Sequence, residues 1–111
     1  MKWIKIADKA IPAMEGMRKV KIRGKRICLV RHWEKLYATS LRCPHAGADL
    51  SGGWCEAGRL FCPYHRHTFS LDTGKGDPGR GEYITIYPLE ERDDGWFIGM
   101  KERWFDKLFR K

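Results

Sequence analysis

Apolar residues recur at every second position in short runs, and no window before residue 100 sustains a helical period. Trp3-Ile4-Lys5-Ile6 alternates, and Ile11-Pro12 begins a loop. Val20-Lys21-Ile22 and Ile27-Cys28-Leu29-Val30 flank Arg23-Gly24-Lys25, which predicts a hairpin with Gly24 at its turn. His32-Trp33-Glu34-Lys35 followed by Leu36-Tyr37-Ala38-Thr39 predicts a second hairpin. Farther on, Gly52-Gly53 and Gly58 mark turns, Arg59-Leu60-Phe61 reads as a strand, and residues 72–81 form a turn-rich loop. Tyr83-Ile84-Thr85-Ile86-Tyr87 is the clearest alternating segment, and Gly95–Met100 closes the sheet after the Asp93-Asp94-Gly95 turn. Short strands without intervening helices argue an all-β antiparallel barrel or sandwich over residues 1–100.

The tail differs in kind. From Lys101 to Lys111, Trp104 with Leu108 and Phe105 with Phe109 stand four residues apart, the pattern of a short amphipathic helix with a basic opposite face. Such a helix can pack on the barrel, dock a partner or touch a membrane surface.

With 111 residues the chain has room for one domain and one modest core. No stretch approaches the ~20 apolar residues of a membrane span, and residues 1–10 lack an apolar segment followed by a cleavage site. The expected location is the cytoplasm, and nothing demands more than a monomer. The formal net charge is +8. Around Lys19–Arg31 the basic residues alternate with apolar ones, as on the solvated face of a strand. With no nucleic-acid motif present, the charge favours steering toward an acidic protein partner over nucleic-acid binding.

The chemistry concentrates in two short segments. Cys43 and His45 stand in R-C-P-H-A-G, and Cys62 and His65 in F-C-P-Y-H. Zinc sites built from two Cys and two His place both Cys in one loop and both His in the other. Here each loop carries one of each, which suits a two-metal centre with both Cys on one iron and both His on the other. Of the remaining cysteines, Cys28 sits in an apolar run and reads as a small buried hydrophobe. Cys55 reads as an ordinary half-buried residue, with a spare ligand or a reactive thiol as alternatives. A Cys28–Cys55 disulfide would be unusual in a reducing compartment.

The stretches C-P-H-A-G-A-D-L (43–50) and F-C-P-Y-H-R-H-T-F-S-L-D-T-G (61–74) resemble the soluble Rieske-type [2Fe–2S] ferredoxins. The resemblance implies a [2Fe–2S] cluster held by Cys43, His45, Cys62 and His65 in a subdomain spanning about 42–81. It also implies a one-electron carrier that receives electrons from a flavin reductase and passes them to an oxygenase or similar acceptor. The histidines would bind through Nδ1 and leave Nε2 exposed, so that electron uptake becomes proton-coupled at high pH. Two ferric irons balance two sulfides and two thiolates, so the oxidised form keeps the charge of +8 and the reduced form has +7.

High-potential Rieske proteins resemble this chain but add a disulfide whose places are Ala48 and Tyr64 here, and use Ser and Tyr hydroxyls where His67 and Phe69 stand. Their loss implies a potential at the low end of the Rieske span, roughly −150 mV. Two features depart from the ferredoxin pattern: Arg66-His67 after the second ligand His, and Pro78 as the single proline of the loop expected to cover the cluster. His67, two residues beyond His65, is also a conceivable substitute ligand. Rieske oxygenases add a second iron held by two His and a carboxylate. With His32 and His67 the only other histidines, the chain lacks a credible triad and is expected to have no catalytic residues of its own. The alternatives are a small accessory subunit of a nitrite-reductase-like oxidoreductase and a structural zinc module.

Overall fold

The computed structural model describes residues 1–44, 47–64, 67–79 and 81–101. The helix expected over 101–111 therefore lies outside the described residues, Lys101 excepted. Ten strands follow in order: β1 (Lys2–Lys5), β2 (Gly16–Ile22), β3 (Lys25–His32), β4 (Lys35–Ser40), β5 (Trp54–Glu56), β6 (Arg59–Phe61), β7 (Thr68–Ser70), β8 (Ile86–Tyr87), β9 (Leu89–Arg92) and β10 (Gly95–Met100). They form three antiparallel sheets, ordered β1-β10-β9, β2-β3-β4-β8 and β5-β6-β7, and the only helical segments among the described residues are 3₁₀ turns at Asp8–Ala10 and Leu50–Gly52. The fold is all-β, as the alternation predicts.

Strand β3 explains the architecture. Its run Ile27-Cys28-Leu29-Val30 is buried throughout, since both faces of the strand are covered. Ile27 and Leu29 join Ile6, Ile22, Ala38, Ile98 and Met100 in one core cluster, where the first two sheets pack together. Cys28 and Val30 point the other way, into a second cluster with Leu41, Cys43, Leu50, Leu60, Cys62, Phe69, Leu71 and Ile84. The second cluster is the floor of the two Cys-containing loops.

Both early hairpins form, and both use two-residue turns with positive φ at each central residue: Arg23-Gly24 (53° and 79°) and Trp33-Glu34 (52° and 65°). This is the turn whose twist matches the flanking strands. Trp33 and Glu34 lack the glycine such a turn prefers, but Trp33 stacks on His32 at 4.6 Å and its N–H donates to Glu15 at 3.2 Å. Ala57-Gly58 makes a third turn of this kind between β5 and β6.

One element differs from the pattern. Of the alternating segment 83–87, only Ile86–Tyr87 forms a ladder, with β4. Just before it the chain divides its bonds between two neighbours: Ile84 N–H donates to Gly74 O, while Ser40 N–H donates to Thr85 O. The approach at Gly74 leaves no room for a side chain, because a Cβ there would stand 2.1 Å from Ile84 O and φ is +82°.

Candidate metal centre

Each Cys-containing loop closes in the same way. Cys43 N–H donates to Ala48 O at 2.8 Å, and Cys62 N–H donates to His67 O at 2.8 Å, a span of five residues in both. Each cysteine precedes a proline, Pro44 or Pro63, which holds the cysteine in an extended conformation and supplies no competing N–H. Below the first tip, Leu50 N–H donates to Leu41 O and Arg42 pairs with Asp49. Arg42 Nη1 also donates to Gly47 O at 3.0 Å. Below the second, Phe61 pairs with Thr68 in the β6–β7 ladder. The described parts of the two loops thus close alike.

At their bases Cys43 and Cys62 are buried, 1% and 0% exposed, and both are free thiols. They pack in the same buried cluster, close enough for each to feel the other's charge. Burial pushes the Cys62 thiol up, the neighbouring Cys43 adds to this, and a backbone N–H from Tyr64 to its sulfur opposes it. Two desolvated sulfurs side by side hold thiolate charge only with a cation between them, and a soft metal bound by both meets that requirement. The structure brings Cys43 and Cys62 together, as the motif spacing requires; His45 and His65 lie outside the described residues.

The surroundings hold the tips in place. Asp49 caps the Leu50–Gly52 turn, accepting from Ser51 N–H at 2.9 Å, and this bond with the Ser51 hydroxyl holds its carboxyl below the usual carboxylate range. Lys19 reaches Asp49 from β2 at 3.2 Å. Gly53 then passes so close to β6 that a Cβ would stand 1.8 Å from Phe61 O. On the second side, Asp77 in the loop after β7 accepts from Thr68 Oγ1 at 2.6 Å, and Arg59 Nε donates to that same hydroxyl at 2.8 Å. None of these supports stands out in the sequence except Asp49, whose D-x-S spacing marks a capping turn.

The secondary candidates have other employment. His32 is buried, its Nδ1 2.6 Å from Glu15 Oε2 and its Nε2 accepting from Gly58 N–H at 3.0 Å, so it ties β3 to the β5–β6 turn. His67 is buried with its Nδ1 3.9 Å from Asp77 Oδ2. Phe69 is buried and brings no hydroxyl to the sulfurs, while Ala48 is buried and Tyr64 exposed. Cys28 and Cys55 are both free, and burial pushes each thiol up to about 12, which makes them poor nucleophiles.

A family model described as the Rieske [2Fe–2S] domain matches residues 2–85. A ferredoxin component of naphthalene 1,2-dioxygenase/salicylate 5-hydroxylase systems from Ralstonia sp. is 39% identical over 56 residues, which span 50% of this chain and 54% of that one. The ferredoxin component of the Pseudomonas putida naphthalene 1,2-dioxygenase system is 34% identical over 76 residues, covering 68% of this chain and 72% of the relative. The fold matches that of the ferredoxin of carbazole 1,9a-dioxygenase from Nocardioides aromaticivorans with a TM-score of 0.75 and 23% identity, covering 91% of this chain and 100% of that one.

Proposed function

The chain belongs to the Rieske [2Fe–2S] domain family, and we propose that it is a one-electron carrier whose cluster is held by Cys43, His45, Cys62 and His65. The observation that carries this reading is the pair of buried free thiols in one core cluster, at the bases of two loops that close alike, each followed in sequence by a histidine two or three residues on. When bound, the cluster accepts and releases a single electron at an iron pair whose mixed Cys and His ligation raises its potential.

The protein's own residues do the rest. Cys43 and Cys62 supply thiolates from a dry floor, the backbone N–H of Tyr64 favours the Cys62 thiolate, and Asp49 and Asp77 fix the two loops. Electrons come from a flavin reductase and go to an oxygenase or a similar acceptor, as the dioxygenase ferredoxins among its relatives suggest. No catalytic residue is assigned, and the cluster-binding subdomain spans about 42–81. No helix among the described residues is long and apolar enough to cross a membrane. We place the protein in the cytoplasm as a monomer, which gel filtration checks.

The test is the visible absorption and reduced-state EPR of the purified protein, with iron and sulfide analysis. Two irons, two sulfides and a rhombic signal on reduction are expected. Cys43→Ser and Cys62→Ser abolish the chromophore, while Cys55→Ser leaves it intact. A colourless protein with one zinc overturns the reading. A cluster that fails to exchange electrons with a flavin reductase favours the accessory-subunit alternative.

A further inference from the structure

The charge of the molecule is not spread evenly. Arg18, Lys19, Lys21, Arg23, Lys25, Arg26 and Arg31 all lie on the β2–β3 hairpin, and no acidic residue occurs between Gly16 and Trp33. Glu90, Glu91, Asp93 and Asp94 gather instead on the β9–β10 hairpin of a different sheet. Among the described residues, strand β2 pairs only with β3 and packs against the Asp8–Ala10 and Leu50–Gly52 turns and β5. The basic edge therefore borders the loop that carries Cys43.

Where it meets that loop there is a cleft of about 330 Å³, lined by Lys19, Val20, Lys21, Arg26, Leu41 and Asp49. Leu41 and Asp49 belong to the stem of the first metal loop, and Lys19 is bonded to Asp49. Lys21 and Arg26 are exposed and stand directly opposite each other in the β2–β3 register. Neither is ion-paired with a described acidic residue. Like charges in directly opposed positions destabilise a strand pair. Lysines that only guard an edge strand need not be opposed in this way.

We propose that this edge is the docking surface for an acidic redox partner protein, with a partner carboxylate seated in the cleft between Lys21 and Arg26. The inference rests on the electron-carrier reading above and adds the place and the charge of the contact. A carboxylate there relieves the Lys21–Arg26 repulsion and holds the partner against the stem of the first metal loop. It also gives the charge of the chain a direction, because a concentrated field orients an approaching partner whereas a diffuse one only attracts it.

The experiment uses the reduced holoprotein and two one-electron oxidants of opposite charge. Each electron leaving the cluster reduces cobalt(III) to cobalt(II) in anionic tris(oxalato)cobaltate, or ruthenium(III) to ruthenium(II) in cationic hexaammineruthenium. K21E/R26E is compared with K2E/K5E, which makes the same change in net charge on exposed residues of β1. At low ionic strength K21E/R26E slows oxidation of the protein by the cobaltate about tenfold and K2E/K5E less than twofold; the ruthenium reaction shifts in the opposite sense, and high salt erases both effects. Poly-L-glutamate, standing in for an acidic protein surface, slows the cobalt reaction of the wild type but not of K21E/R26E. Equal effects of the two double variants, or equal competition in both, overturn the docking surface.

Absorption spectra of every sample separate the two levels: a protein without a cluster counts against the carrier reading. Hexaglutamate titration followed by amide shifts tests the edge by itself. Shifts centred on Lys21, Arg26 and Leu41 support it, and shifts spread over all basic segments overturn it.

Discussion

Phe69 shows how one side chain sets the chemistry next to it. It is 1% exposed, packs in the core cluster that includes Cys43 and Cys62, and offers only ring carbons. In the high-potential proteins that the sequence resembles, a tyrosine hydroxyl stands at this position and donates to a cysteine sulfur. A hydrogen bond to sulfur favours the reduced, more negative cluster and so raises the potential. A net hydrogen bond of about 1 kcal/mol corresponds to roughly 40 mV for a one-electron couple. Phe69→Tyr is therefore expected to raise the midpoint by about that amount, from a wild-type value near −150 mV. A redox titration followed by visible absorption measures both. A wild-type midpoint above zero would mean that other donors replace the missing hydroxyl, and an unchanged midpoint in the variant would mean that the new hydroxyl does not reach a sulfur.

Among the elements, the Leu50–Gly52 turn ties the first metal loop to the strands, and Asp49 is its cap. Removing such a cap costs about 1 kcal/mol, and the exposed Lys19 partner adds little. Asp49→Ala is expected to lower the unfolding free energy measured by urea titration at pH 7 by that amount. The folded-state pKa of Asp49 lies below its unfolded value, with the Ser51 hydrogen bond the main cause. Its contribution is thus present above the unfolded value of about 3.9 and is lost as pH falls through the lower folded value. The gap between variant and wild type should close in strong acid, and a gap constant down to pH 2 would assign the effect to packing instead. Much at this scale was legible in the sequence. The run Ile27–Val30 and Gly24 marked the first hairpin and its turn, and the Cys-x-His and Cys-x-x-His spacings marked the two loops. The Trp33-Glu34 turn was placed by its flanking strands, since its own residues carry no turn signal. The Arg59–Thr68–Asp77 chain was invisible, because a hydrogen-bond network across three segments leaves no local pattern. The segment 83–87 misled because alternation reports which face is buried and not which neighbour takes the backbone bonds: Tyr83 is exposed and Ile84 buried, yet the ladder begins only at Ile86.

Across the whole molecule, two cores of unequal independence share β3. The cluster of Ile6, Ile22, Ile27, Leu29, Ala38, Ile98 and Met100 sits between sheets whose longest strands run six to eight residues. The third sheet has three strands of three residues each, and its floor includes the two cysteine sulfurs. So small a sheet is marginal without further support, and a cluster held across both loops, as proposed, would supply it by binding only the folded form. Two bonds reach beyond it, Gly58 N–H to His32 of β3 and Ser70 N–H to Lys75 O in the following loop, while Leu71 N–H to Gly58 O and Cys62 N–H to His67 O run within it. Stripping the cluster should therefore loosen one part of the molecule and spare the other. Hydrogen exchange followed by mass spectrometry is expected to show loss of protection over 54–71 in the apoprotein, with the β2–β4 ladder keeping most of its protection. The His32–Gly58 bond predicts where the boundary falls, so that the β5–β6 turn exchanges more slowly than the loop around Cys62. A uniform loss over both sheets would mean that the strand they share, β3, makes the barrel and the metal-binding subdomain a single cooperative unit.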